Sequence, residues 1–154
     1  MSYHDYKNII LNLKRGNYLG TFSNAKPIFV ISLLDAIEQG FLSHNEIPFN
    51  SKRLIDIYSN NYRKERDKSG LIFRANSKIT PYNYPYFHMN AEPFYHIKWK
   101  DGIIAPEQSS SPSCKYLKEH IDYAFLDEEL WKLLQSSEVR YDLRKELEDK
   151  FIKP

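Results

Sequence analysis

The sequence predicts an α+β domain, mostly helical, with a small antiparallel hairpin or sheet in a winged-helix-like order. Three observations carry this. Apolar residues recur at helical spacing in segments towards both ends of the chain. One stretch, Ser77 to Lys100, reads instead as short extended pieces rich in aromatics and prolines. With 154 residues, 42% of them apolar, the chain has room for a real core. A single domain over 1–154 is expected, with helices in 113–152 packed on the rest.

The first segment, Tyr3 to Lys14, spaces Tyr6, Ile9, Ile10 and Leu13 along one helical face, and Arg15-Gly16-Asn17 is expected to end it. The second starts at a cap, Ser23 or Asn24, and carries Pro27 in its first turn, where a missing N–H costs nothing. Ile28 to Ile31 with Leu33, Leu34 and Ile37 make it apolar on nearly all sides, so it should be the buried centre, closed by Gly40. Lys26-Pro27 reads either as helix initiation or as an anion site built from Lys26 and the first-turn N–H groups. After a turn at His44-Asn45-Glu46 and a short extended Ile47-Pro48-Phe49, Ser51 caps a third helix. It runs from Lys52 to about Arg66, with Leu54, Ile55, Ile57 and Tyr58 facing in. Its polar positions include Arg53, Arg63, Lys64 and Arg66. A short apolar run, Leu71-Ile72-Phe73, precedes Arg74 and Lys78.

Within the aromatic stretch, Tyr86 to Met89 and Phe94 to Trp99 read as the arms of a hairpin about a turn at Asn90 to Pro93. Pro85 biases Tyr84 towards extended backbone, which would set both rings at the hairpin mouth. Strand alternation sends about half of the arm side chains into the core. The others would pack as well, or stack on nucleic acid. A serine-rich loop over Glu107 to Ser113 follows. Then Ser113 caps a helix with Tyr116, Leu117, His120 and Ile121, Asp127 caps another over Glu128 to Gln135, and Ser136 or Ser137 starts the last.

Composition narrows the function classes. No apolar run approaches the ~20 residues of a membrane span, and MSYHDYKNII has no signal-peptide core, so a soluble cytoplasmic protein is the expectation. The single cysteine, Cys114, allows no internal disulfide and no cysteine-rich zinc site. Net charge is only +2, yet 14 basic residues stand against 8 acidic ones up to Lys100, and 8 against 12 beyond it. A basic first two-thirds fits contact with a polyanion, and equally ordinary scatter on a solvated surface.

Catalytic motifs are lacking. His44-Asn45-Glu46 shares two letters with an HNH nuclease motif, but no second histidine follows at metal spacing. Glu148-Asp149-Lys150 lies in a helical pattern, where a nuclease E-x-K needs a strand. There is no P-loop, dinucleotide fingerprint or GxSxG. His88 and His96 would share the hairpin without carboxylate support. No enzyme, cofactor or metal is predicted.

Several pieces stand in an order that resembles one family. They are Lys26-Pro27 before the apolar helix ending Leu33-Leu34-Asp35-Ala36-Ile37-Glu38, then Tyr84-Pro85-Tyr86-Phe87-His88-Met89, then Glu92-Pro93-Phe94-Tyr95-His96-Ile97. Leu117 to Ala124 and Leu126 to Trp131 follow. Together, over roughly residues 20 to 152, they resemble the N-terminal head of McrA-type HNH restriction endonucleases, which is similar to the sulfur-binding domain that recognises phosphorothioate DNA. The resemblance implies that Tyr84 and Pro85 form an apolar cavity for sulfur, that Lys26 beside Pro27 holds the phosphate, and that His88 touches the neighbouring backbone or buttresses the cavity. It implies that Arg53, Arg63, Lys64, Arg66, Arg74 and Lys78 make non-specific phosphate contacts. Where the family often has a basic residue or histidine just before Lys-Pro, this chain has Asn24-Ala25.

The expected function is a DNA-binding module for phosphorothioate-modified backbone, related to restriction and defence. Double-stranded DNA would be its partner, and cleavage would come from a further domain or a nuclease subunit. The alternative is a protein-interaction or regulatory domain using the same aromatic surface.

Overall fold

The computed structural model of the chain describes residues 1–18, 21–68 and 79–152. In chain order the elements are α1 (Tyr3–Ile10), a ribbon of β1 (Asn17–Tyr18) and β2 (Thr21–Phe22), α2 (Ala25–Glu38), α3 (Lys52–Lys68), α4 (Asn83–His88), β3 (Tyr95–Trp99), α5 (Cys114–His120), β4 (Ile121–Leu126), α6 (Glu128–Leu133) and α7 (Ser137–Leu147). A 3-10 turn over Met89–Ala91 extends α4, and a π turn over Glu148–Ile152 extends α7. The class is mixed α+β, mainly helical, with small antiparallel sheets.

Helix α2 is the buried centre that its sequence predicts. From Ala25 to Ile37 only Asp35 escapes full burial. Gly40, at φ +80°, closes the helix in the left-handed region, and the N–H groups of Phe41 and Leu42 return to the Ala36 carbonyl. Asp35 gives the helix its polar edge. Its carboxylate accepts from Arg144 Nε of α7 at 2.9 Å and from Asn61 Nδ2 of α3 at 2.9 Å. The same amide of Asn61 donates to Ser32 Oγ at 3.1 Å. Three helices are thereby fixed to one another through hydrogen-bonded, charge-assisted contacts.

Aromatic rings cover the face of α2 around Phe29. Tyr82, Tyr86 and Tyr95 lie 5.6, 6.1 and 5.9 Å from its ring centroid. Each of these phenols also finds an acceptor. Tyr86 donates to the Ile47 carbonyl at 2.5 Å, Tyr95 to the Tyr86 carbonyl at 2.7 Å and Tyr82 to the Pro48 carbonyl at 3.2 Å. A buried tyrosine is stable only on these terms, because an unpaired hydroxyl would lose its water without replacement. Most rings of the aromatic stretch are therefore core, with Tyr82, Tyr86, Phe87, Phe94 and Tyr95 all buried.

The predicted hairpin over Tyr86 to Trp99 does not form. Its first arm is helical, within α4, and Pro85 sits in the first turn of that helix, where no N–H is required. Burial of Tyr86 and Phe87 side by side against the core overrides the extended bias that Pro85 places on Tyr84. The second arm is β3, but its partner is β4, in antiparallel register from Tyr95↔Leu126 to Trp99↔Ile121 with an irregularity after Lys98. The helix that the sequence predicts to include Ile121 ends at His120. Ile47 bridges the far side of β4 at Ala124, and Asn45 clamps Leu126 through both its N–H and its carbonyl, each at 2.8 Å.

Other differences are local. Helix α1 stops at Ile10, so Arg15 and Gly16 lie in a loop and not at a helix end. Ser51, Ser113 and Ser136 accept from first-turn N–H groups as caps. Asn24 and Asp127 stand at cap positions without capping. Asp127 instead accepts from Tyr6 at 3.0 Å and pairs with His96 of β3 at 2.6 Å. Leu71-Ile72-Phe73 lies outside the described residues. Among those described, no helix is long and apolar enough to cross a membrane.

Phe29→Ala removes the ring about which three tyrosines pack. It is expected to cost about 3–5 kcal/mol, read from the denaturant midpoint.

Candidate functional site

A cleft of about 240 Å³ opens beside the N-terminal end of α2. Its walls come from three parts of the chain. The loop after α1 gives Lys14, Arg15 and Gly16, the first turn of α2 gives Lys26, and the α4 region gives Tyr84, His88 and Ala91. Gln108 completes the rim, and its Nε2 donates to the His88 carbonyl at 3.4 Å.

Helical spacing sets the third wall. Tyr84 and His88 are four residues apart on α4, which sets their rings 4.3 Å apart, tilted by 45°, on the side facing the cleft. Pro85, next to Tyr84, is buried with Tyr86 and Phe87. It shapes the turn without lining the cleft. Gly16 lets the loop approach this wall, since a Cβ there would meet the Tyr84 hydroxyl at 3.3 Å.

The cationic walls are individually anchored. Arg15 donates through Nη1 to Asn24 Oδ1 at 2.9 Å and stacks over Phe151 at 4.6 Å. Asn24 in turn donates to the Phe151 carbonyl at 3.1 Å. Burial holds the Arg15 guanidinium below its ordinary pKa. Lys26 is more deeply set. Its Nζ meets Glu92 Oε2 at 2.9 Å, with the two side chains only 9% and 4% exposed. The same oxygen accepts from the backbone N–H of Lys14 at 3.3 Å. Lys14 itself is exposed. Burial, with the nearby Lys26 cation, pushes the His88 pKa below its ordinary value.

Lys26, Tyr84 and His88, all predicted, are thus brought to one cleft. Pro27 is buried in the first turn of α2. Arg53, Arg63 and Lys64 lie exposed on α3 and do not line the cleft, and Arg53 stacks over Phe41 at 4.4 Å. The Arg66 side chain, Arg74 and Lys78 lie outside the described residues. Sequence reading missed Lys14, Arg15, Gly16, Glu92 and Gln108. In sequence Lys14 and Arg15 read as a helix end and Glu92 as part of a turn. The only local hint was the Glu92-Pro93 pair.

An aromatic ring beside several cations suits an anion that is large, soft and weakly hydrated. No group of three or more histidine, cysteine or acidic side chains among the described residues could hold a metal ion.

The chain superposes on the sulfur-binding domain of SprMcrA, solved in complex with phosphorothioated DNA, with a TM-score of 0.64. The match covers 97% of this chain and 85% of the other, at 14% identity. The two share one fold. No protein-family model and no curated protein matches the chain. The resemblance drawn from the quoted motifs therefore holds as a likeness to the sulfur-binding-domain fold.

An NMR titration of His88 is expected to give a midpoint below about 6.5. The double variant Lys26→Met with Glu92→Leu, which removes both charges of the buried pair, should leave it below the ordinary value, because burial is the larger cause of the shift.

Proposed function

We propose that this protein is a DNA-binding module whose cleft takes a phosphorothioate of the duplex backbone. The observation that carries the reading is the meeting of Tyr84, Lys26 and His88 in one basic, partly apolar cleft, on the sulfur-binding-domain fold. Sulfur in place of a non-bridging oxygen is larger and less strongly hydrated. Against the Tyr84 ring it gives up little solvation, whereas an oxygen there would lose water without a matching donor. Arg15 and Lys14 face the charge that remains on the group. Exposed Arg53, Arg63 and Lys64 would contact ordinary phosphates along the duplex and make binding salt-dependent. A role in restriction or defence follows from this reading, with cleavage supplied by another domain or a nuclease partner, in the cytoplasm where DNA is met. The rival protein-interaction reading needed an exposed aromatic surface, and most of those rings are in the core.

Fluorescence anisotropy with phosphorothioate and plain duplexes of one sequence, at fixed salt, tests the proposal. The modified duplex is expected to bind more tightly, and equal affinity would remove sulfur recognition while sparing DNA binding. Tyr84→Ala should cut the preference by about tenfold, whereas Lys64→Ala should weaken both duplexes alike and reduce the salt slope by about one. Binding should also tighten as pH falls through the His88 midpoint, since an anion in the cleft favours the protonated ring. His88→Gln should flatten that dependence.

A further inference from the structure

Glu92 stands out as an acidic side chain built into a site for an anion. It is not on the rim, where water would screen it, but 4% exposed behind the cleft wall. One oxygen, Oε2, takes both the Lys26 ammonium and the Lys14 amide. Glu92 also directly follows the 3-10 turn that extends α4, the helix carrying Tyr84 and His88. A single carboxylate therefore ties together the three walls of the cleft. A tie alone would not need a charge, because a glutamine could accept both hydrogen bonds. What the charge adds is neutralisation of Lys26, the most deeply set cation of the site.

We propose that Glu92 determines specificity, lowering the affinity of the cleft for an ordinary phosphate and so leaving a phosphorothioate favoured. This rests on the DNA-backbone reading above. A phosphate oxygen is strongly hydrated and enters a buried site only if a full cation replaces its water. Lys26 cannot act as that cation while Glu92 holds it. A sulfur gives up less water and gains contact with the Tyr84 ring, so it loses less from the compensation of Lys26. The carboxylate thus discriminates by disfavouring the wrong ligand.

The test measures wild type and Glu92→Gln on both duplexes across a salt series. Glutamine preserves the acceptor and the shape but releases the Lys26 charge to the cleft. Plain-duplex affinity is expected to rise about fivefold, the sulfur preference to narrow by a similar factor, and the salt slope on plain DNA to steepen by about one. An unchanged preference, or an equal loss on both duplexes, would show that Glu92 is only a structural tie and would overturn the proposal. Should Glu92→Gln fail to fold, the double variant Lys26→Met with Glu92→Leu replaces the pair by apolar side chains of similar size. It is expected to keep the sulfur preference within about twofold, and collapse of the preference would mean that the Lys26 charge serves the ligand directly. Wild-type protein binding both duplexes equally would instead refute sulfur recognition itself, a distinct outcome read before any variant is made.

Discussion

Helix α2 is buried on nearly all sides, with Asp35 as its polar edge, and that constraint governs the fold. A helix apolar on all sides must be covered on all sides. Helices α3 and α7 cover two of them, fastened through Asp35, Asn61 and Arg144. The rings of Tyr82, Tyr86 and Tyr95 cover the side around Phe29. Because α2 is buried to its first turn, Lys26 is drawn inside as well, and a lysine there needs a partner. Glu92 is that partner. The ion pair is a consequence of where the covering must end, and the cleft lies at the same place.

This explains how a site comes to be assembled from the end of one helix, one short helix and a loop. Helix α4 is held by the burial of Tyr86 and Phe87, so its other side, carrying Tyr84 and His88, is left to face outward. The loop from Lys14 to Gly16 lies close against that side, where a Cβ on Gly16 would come within 3.3 Å of the Tyr84 hydroxyl. Packing decides the position of each wall, and the chemistry of the cleft follows from which side chains the packing does not use.

What could be read in the sequence was what depends on neighbours along the chain. The apolar run of α2, its closure at Gly40 and the serine caps at Ser51, Ser113 and Ser136 rest on local rules, and all are found. Strand β3 was legible too, but not its partner. Ile121 to Leu126 begins directly after a helix, and only pairing with a strand more than twenty residues earlier tells where that helix ends. Helix α4 is not legible in the sequence because local bias at Tyr84-Pro85 favours extended backbone, and the burial that outweighs it is tertiary. Three cleft residues were legible from the order of motifs. Lys14, Arg15 and Glu92 were not, since nothing in the spacing of residues 14, 26, 84 and 92 brings them together.

Asn24 shows the same lesson at the level of a single side chain. In sequence it occupies a position just before Ala25 and Lys26 where the resembled family often carries a basic residue or histidine. Read along the chain, that is a missing cation. In space, Asn24 leaves its capping duty and binds Arg15, whose guanidinium is steadied from the other side by Phe151. A cation therefore does stand at this end of α2, delivered by the loop and held by the residue that seemed to replace it. Charge in a cleft is a property of volume, not of sequence position. An arginine nine residues away can supply it, provided that the asparagine is there to receive the arginine and that Gly16 lets the loop come close.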